Sequence, residues 1–239
     1  MKIIMNSCIG VFEPNMISHW VNHWRDVGVT DWRVVVHAPS ADDVRFEVIM
    51  KELRDNGIEP YGWWFGDFTE VKKYDQLNLA RNNIGANDWI IPADLDEFTK
   101  FPTNIINLIN KCNDDNITHL CGYLVDRVSS DGELHPLQKD KSIWVQYPDE
   151  KNMTGDVMGS TRQKVLLYKH MSGSVGHGHH QPGPQVLEEH VRYLGEICYH
   201  FKWTASVIAS SKNFIDKLGY WEDCYKRILT HYKKDDADG

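Results

Sequence analysis

Strands and helices alternate strictly over the first hundred residues, and this alternation restricts the possible fold more than any other feature of the chain. The runs at 3–9 (IIMNSCI), 32–37 (WRVVVH), 58–65 and 88–94 have the length and the β-branched or aromatic content of buried strands. Helices are expected between them, at about 15–27, 42–56 and 69–84. The first carries Met16, Trp20, Trp24 and Val27 at helical spacing and closes at Gly28. The second follows Ser40, Ala41 and Asp42, which have N-cap character, and ends on Asn56–Gly57. Strands joined in turn by helices imply parallel βαβ units, and hence an α/β fold with a doubly wound, mostly parallel sheet flanked by helices. Ligands of such sheets bind beyond the carboxyl ends of the strands.

After residue 100 the pattern loosens. A helix is expected near 102–112, and shorter strands at 120–125, 142–146, 164–168 and 196–203. The loop at 147–161 is rich in Gly, Asp, Asn and Met and reads as a lid. An amphipathic helix is expected over 205–232, before a charged tail at 233–239 that should fray. At 239 residues, one domain is the better expectation. Residues 1–100 form its first half and 101–232 its second.

The net charge of −8 argues against a nucleic-acid partner, which would need a basic stripe. An acidic chain that takes an anionic ligand needs a local cation, either a metal or a few placed lysines and arginines. The five cysteines form no CxxC pair and are odd in number, so free thiols in a reducing, cytoplasmic setting are expected. No apolar stretch approaches the length of a membrane span, and the N-terminus reads as a first strand rather than a leader.

Asp94–Leu95–Asp96 ends the fourth run. In a strand, residues i and i+2 face the same side. Two neighbouring carboxylates repel unless a cation lies between them or one is protonated. Mn²⁺ or Mg²⁺, shared with a substrate diphosphate, is the natural occupant. The plain alternative is a polar turn.

Residues 79–98 (LARNNIGANDWIIPADLDEF) resemble the core signature of the GT-A fold glycosyltransferases, in a family-two-like form: a helix with Ala-Arg-Asn, a turn, a buried strand, then DxD with a Glu-Phe extension. The order of strands and helices over 2–98 extends the resemblance, and 199–203 (YHFKW) matches more loosely. It implies a GT-A-like domain, with a nucleotide-sugar-binding half followed by a smaller mixed acceptor-side part. It further implies that Asp94 contacts the ribose or the metal and that Asp96 ligates the metal, with His200 completing the site. Ser7, Cys8, Ile9 and Glu13 would lie near the base and ribose, with Leu95 also among the nucleotide contacts. Arg81 would face the donor pocket or brace the motif.

Three further features stand out. In Gly176–His177–Gly178–His179–His180, glycines allow close backbone approach and imidazoles can bind metal or phosphate. His179 or His180 is expected at the diphosphate or acceptor site, either as a possible replacement for His200; a surface loop is the alternative. Asp126, beside Arg127, is the candidate base for the acceptor hydroxyl, with Glu188 and Glu189 as rivals and a structural ion pair as the alternative. Trp63 and Trp64 could stack on a sugar, as could the late Trp203 and Trp221, although strand aromatics are more often core.

Together these features predict a metal-dependent glycosyltransferase, of hexosyltransferase type, that moves sugar from a UDP-linked donor to a glycan or other hydroxyl acceptor. A nucleotidyltransferase is disfavoured, because the segment after the first strand, 7–13, is not basic. A non-catalytic carbohydrate-binding or degenerate transferase domain is the other alternative, and a metal-storage protein built on the histidines is more distant.

Overall fold

The computed structural model describes residues 1–172, 175–214 and 222–235. Its nine strands form one sheet in the order β3-β2-β1-β4-β8-β6-β9-β5, with β7 paired to β6. β1 (Ile3–Ile9), β2 (Asp31–Ala38), β3 (Gly62–Phe65) and β4 (Trp89–Ile91) are mutually parallel where they pair. Two of these strands are shorter than the sequence suggests. Pro60 precedes β3, and Pro92 follows Ile91 with no N–H to offer a neighbouring strand.

α1 (Met16–Val27), α2 (Val44–Asp55) and α3 (Glu70–Ala80) make the crossovers. α1 buries Met16, Ile17, Trp20, Val21 and Trp24 as one stripe and ends at Gly28, whose φ of 113° closes the helix. The cap of α2 is Asp43, whose side chain accepts from the Arg45 amide, one residue beyond the expected cap segment. Thr69 caps α3, which stops at Arg81 short of the expected 84. α1, α2 and α4 (Ile105–Asp114) share one large core with Ile3, Met5, Val34 and Val36. Ile4 and Ile90 face the other side in a second cluster. There the Asn6 side chain donates to the Leu77 carbonyl of α3. Helices therefore cover both faces of the parallel part.

The second half of the sheet is mixed. β8 (Gln163–Lys169) runs antiparallel to β4 and to β6 (His119–Val128), and β6 is parallel to β9 (Val191–His200). β5 (Glu97–Thr99), not expected from the sequence, pairs antiparallel with the end of β9. Residues 142–146 form not a strand but a single helical turn, α5 (Ile143–Gln146), started by Ser142. The expected lid contains β7 (Asp149–Lys151) and α6 (Met153–Asp156), and it is pinned through the buried Thr154. Within the expected C-terminal helix the described residues are helical over α7 (Ser206–Phe214) and α8 (Glu222–Asp235). Trp221 and tail residues 236–239 lie outside the described residues. All five cysteines are buried free thiols. No helix among the described residues is long and apolar enough to cross a membrane.

One core contact gives the fold an acid sensitivity. On α1, His23 packs its ring against Trp24 and Phe98, at centroid distances of 4.9 and 5.2 Å, and donates from Nε2 to the Thr99 carbonyl at 3.0 Å. Burial, helped by nearby Lys100, pulls its pKa from 6.5 down to about 4. Between those values the unfolded chain binds the proton more readily, so stability falls as pH drops through this window. The loss from this one group is about 3 kcal/mol. His23→Gln should flatten the acid limb by that amount in urea unfolding at pH 7 and pH 4. An unchanged pH dependence would remove His23 as the cause.

Candidate active site

The turn between β4 and β5 is held from several directions. Trp20 donates from Nε1 to the Asp94 carbonyl at 3.1 Å, and the Phe201 amide donates to the Asp96 carbonyl at 2.8 Å. Glu97 closes the turn on itself: its amide donates to the Asp94 carbonyl, and its carboxylate accepts from the Asp94 amide, both at 3.1 Å. Because this segment is a turn, Asp94 and Asp96 do not share one strand face.

Each carboxylate meets a different cation. Lys73, buried on α3, donates to Asp94 Oδ1 at 2.9 Å, and Lys164 at the start of β8 lies 3.8 Å from Asp94 Oδ2. Lys164 also pairs with Glu97 at 2.6 Å and donates to the Gly178 carbonyl at 2.7 Å. Burial alone would raise the Asp94 pKa, but Lys73 and Lys164 outweigh it and hold the group ionised. Asp96 instead faces His200, with Oδ2 3.3 Å from Nε2.

Sheet register explains how His200 reaches this position. It ends β9, aligned with Asp126 on β6 at one side and with Glu97 on β5 at the other. Its Nδ1 donates to Asp126 Oδ1 at 2.7 Å. The same oxygen accepts from Trp203 Nε1 at 2.9 Å and Thr154 Oγ1 at 2.8 Å, while Oδ2 accepts from the Thr154 amide at 2.6 Å. Asp126 is 0% exposed. Burial would lower the His200 pKa, but Asp96 and Asp126 override it and lift it to about 10.

Two lobes of one cleft meet at Asp94, Asp96, Lys73 and Lys202. The first, about 220 Å³, opens beyond the carboxyl ends of β1 and β2 and is lined by Cys8, Gly10, Glu13, His37, Phe68 and Leu95, among others. The second, about 180 Å³, is bordered by Thr154, Ser160, Lys164, His180 and His200. Lys202 lines both, its Nζ 5.6 Å above the Tyr225 ring. Glu13 accepts from Thr204 Oγ1 at 3.0 Å, and burial raises its pKa despite that bond.

The other sequence candidates are distributed as follows. Ser7 and Ile9 point into the interior and do not line the cleft. Arg81 donates to the Tyr168 hydroxyl at 2.8 Å and stacks near Tyr74, bracing α3 against β8 rather than facing the cleft. His179 is buried at a φ of 57° and lines neither lobe, but it lies behind the cleft wall, near enough to Asp94, Lys73 and Lys164 for their charges to act on it. His180 reaches the second lobe, and burial lowers its pKa to about 4. Trp63 is 50% exposed on edge strand β3, beside Phe46 of α2, whereas Trp64 packs on His37 and Phe68 behind the first lobe.

Two expectations for the acceptor base meet physical obstacles. Asp126 is sealed from the cleft, its carboxylate spent on four donors. Glu188 and Glu189 precede β9, whose length of about 30 Å separates them from His200 at the other end.

Sequence reading missed Lys73 and Lys164. Lys73 shares a stripe with Leu77 and Ala80, spaced i, i+4, i+7. A lysine on a buried stripe announces a buried anion, and that signal was available. Lys164 opens an otherwise apolar run, which carried a similar hint. Thr154 had none, because it comes to Asp126 through tertiary packing.

Among the described residues, no group of three or more His, Cys, Asp or Glu side chains forms a complete metal site. Asp96 and His200 do fit a divalent cation as a two-ligand set. Asp126 holds the Nδ1 hydrogen, so Nε2 is the nitrogen that would coordinate once an arriving cation displaces the proton it shares with Asp96. Asp94, neutralised by Lys73, is a weaker candidate.

No protein-family model matches the sequence, and no curated protein is significantly similar to it. Solved structures with a similar chain course include one from Bacillus anthracis described as a glucose-1-phosphate thymidylyltransferase in complex with a sucrose. It is 12% identical, with 86% of this chain and 91% of that one covered and a TM-score of 0.41. Another is S. aureus TarS 1-349, at 9% identity, 91% and 65% coverage and a TM-score of 0.43. A UDP-glucose pyrophosphorylase complexed with UDP-glucose aligns over 98% of this chain and 99% of its own, at 8% identity and a TM-score of 0.33. At TM-scores this low, none of the three bears on a residue or a substrate of this chain.

Proposed function

We propose that the chain is a glycosyltransferase that uses a nucleoside-diphosphate sugar, with UDP the expected nucleotide, and a divalent cation held by Asp96 and His200. The observation that carries this reading is the Asp96–His200–Asp126 relay at the junction of a two-lobed cleft, beyond the carboxyl ends of β1 and β2. When bound, Mn²⁺ or Mg²⁺ would neutralise charge developing on the leaving diphosphate.

The remaining roles fall to the chain's own side chains. The first lobe would take the nucleoside, with Glu13 and Asp94 accepting from its hydroxyl or base donors. Lys73 keeps Asp94 anionic and oriented for that task. Lys202, between the lobes, would face the diphosphate and supply part of the positive charge that the acidic chain lacks overall. The second lobe would take the acceptor hydroxyl. Asp126 acts as a positioning residue for His200 and not as the base.

Calorimetric titration of UDP, UDP-glucose and GDP-mannose, each with Mn²⁺ and with EDTA, tests this reading. Binding of a uridine nucleotide that requires metal is the expected result. If no nucleotide binds under either condition, the assignment fails and a non-catalytic carbohydrate-binding role takes its place.

A further inference from the structure

Outside the cleft, β6, β8 and β9 present a small patch with no part in holding the donor. Tyr123 and Tyr193 are 39% and 50% exposed, on neighbouring strands. Their ring centroids are 6.2 Å apart and their planes 23° from parallel. So large a separation at so small an angle makes the pair strongly offset, and the two rings form a ledge rather than a closed stack. Gln163 aligns with Tyr123 across the β6–β8 pair, and its amide nitrogen donates to the Tyr193 hydroxyl at 2.8 Å. On the other flank Glu196 aligns with Tyr123 across the β6–β9 pair and binds Arg162.

The ledge is connected to the cleft. The carbonyl of Gln163 accepts from His180 Nδ1 at 2.8 Å, and His180 lines the second lobe. The next residue along β8, Lys164, lines the same lobe. Through its backbone, the start of β8 thus links the tyrosine pair to the pocket that would receive the acceptor, with the Gln163 and Lys164 side chains on opposite faces of the sheet.

The chemistry of the patch selects its ligand. Flat apolar faces edged by two hydroxyls, an amide and an ion pair match a pyranose, whose C–H face packs on aromatics while its hydroxyl rim bonds to polar groups. A protein partner would call for a contiguous apolar patch of several hundred square ångströms, well beyond about two tyrosines. Nucleic acid would require available cations, and Arg162 is already paired with Glu196.

We propose that Tyr123, Tyr193 and Gln163 form a carbohydrate subsite that holds a neutral sugar residue of an oligosaccharide acceptor, set back from the end that enters the second lobe. The acceptor role rests on the glycosyltransferase reading; the binding of sugar at the ledge does not. Tyr193 lies seven residues before His200, or roughly 20 Å along β9, so the subsite grips a residue remote from the one that reacts.

The test is an array of neutral di- to tetrasaccharides built from glucose, galactose, mannose and N-acetylglucosamine, probed with the full chain and with the double variant Tyr123→Ala/Tyr193→Ala. Both side chains are exposed, so melting temperatures should agree and metal-dependent UDP binding should be unchanged between the two proteins. The expected result is that the wild type binds at least one tri- or tetrasaccharide and that the double variant binds it about tenfold more weakly. Gln163→Ala should weaken it to a lesser degree. No oligosaccharide binding by the wild type, equal binding by the variant, or a change of oligomeric state in place of sugar binding would each overturn the proposal. If UDP fails to bind while tyrosine-dependent sugar binding persists, the subsite stands and the donor assignment alone falls.

Discussion

Asp96→Ala is expected to abolish most metal-dependent nucleotide binding, with UDP affinity in Mn²⁺ falling at least about 100-fold and metal-free binding little changed. The reasoning is local. In the proposed site Asp96 would provide one of the two protein ligands, and even a residue that merely supports a ligand typically costs about 10–100-fold in metal affinity when removed. Its backbone carbonyl, which accepts from the Phe201 amide, stays in place. The turn should therefore survive, and the variant should melt near the wild type. Turnover in a donor-hydrolysis or transfer assay should drop by about two to three orders of magnitude. Calorimetry with Mn²⁺ and with EDTA separates the outcomes, and unchanged metal-dependent affinity would remove Asp96 from the site.

The second large effect is expected at Asp126. Asp126→Ala would leave the Trp203 N–H, the Thr154 amide and hydroxyl, and His200 Nδ1 without their acceptor, in a location with no access to water. Uncompensated burial of that kind costs about 3–5 kcal/mol. For a chain of this size the melting temperature should fall by roughly 10 °C. Asp126→Asn keeps the volume and separates two roles. As a positioning residue, Asp126 sets which nitrogen of His200 faces Asp96, so the variant should lose about 10–100-fold in Mn²⁺ affinity. A proton-accepting role would instead lower turnover and leave metal affinity intact, and that result would restore Asp126 as the base.

Asp94–Leu95–Asp96 marks how far residue spacing carries an inference. Asp94 and Asp96 were recognisable as a pair at the end of a buried strand, but treating that strand as continuous placed both carboxylates on one face. Pro92 ends β4 early, the segment turns, and the two carboxylates separate toward Lys73 and His200. The histidine cluster divides in a similar way. His180 reaches the second lobe while His179, one residue away, is buried outside both lobes. Adjacent residues in a loop point in directions that composition does not encode.

The parallel first half was determined by the sequence itself. Each of its strands and helices carries its own signal, in apolar run length, helical spacing or a capping residue, and short connections leave little choice of neighbour. The mixed half was decided only in the tertiary structure. There β5 has three residues, β9 meets β6 over a separation of more than about 70 residues, and the register is set by packing between distant segments. His200 occupies its place because β9 lies between β6 and β5, which brings Asp126, Asp96 and Glu97 around it. Local physical chemistry fixes what each element is; the free energy of bringing remote elements together fixes which side chains meet.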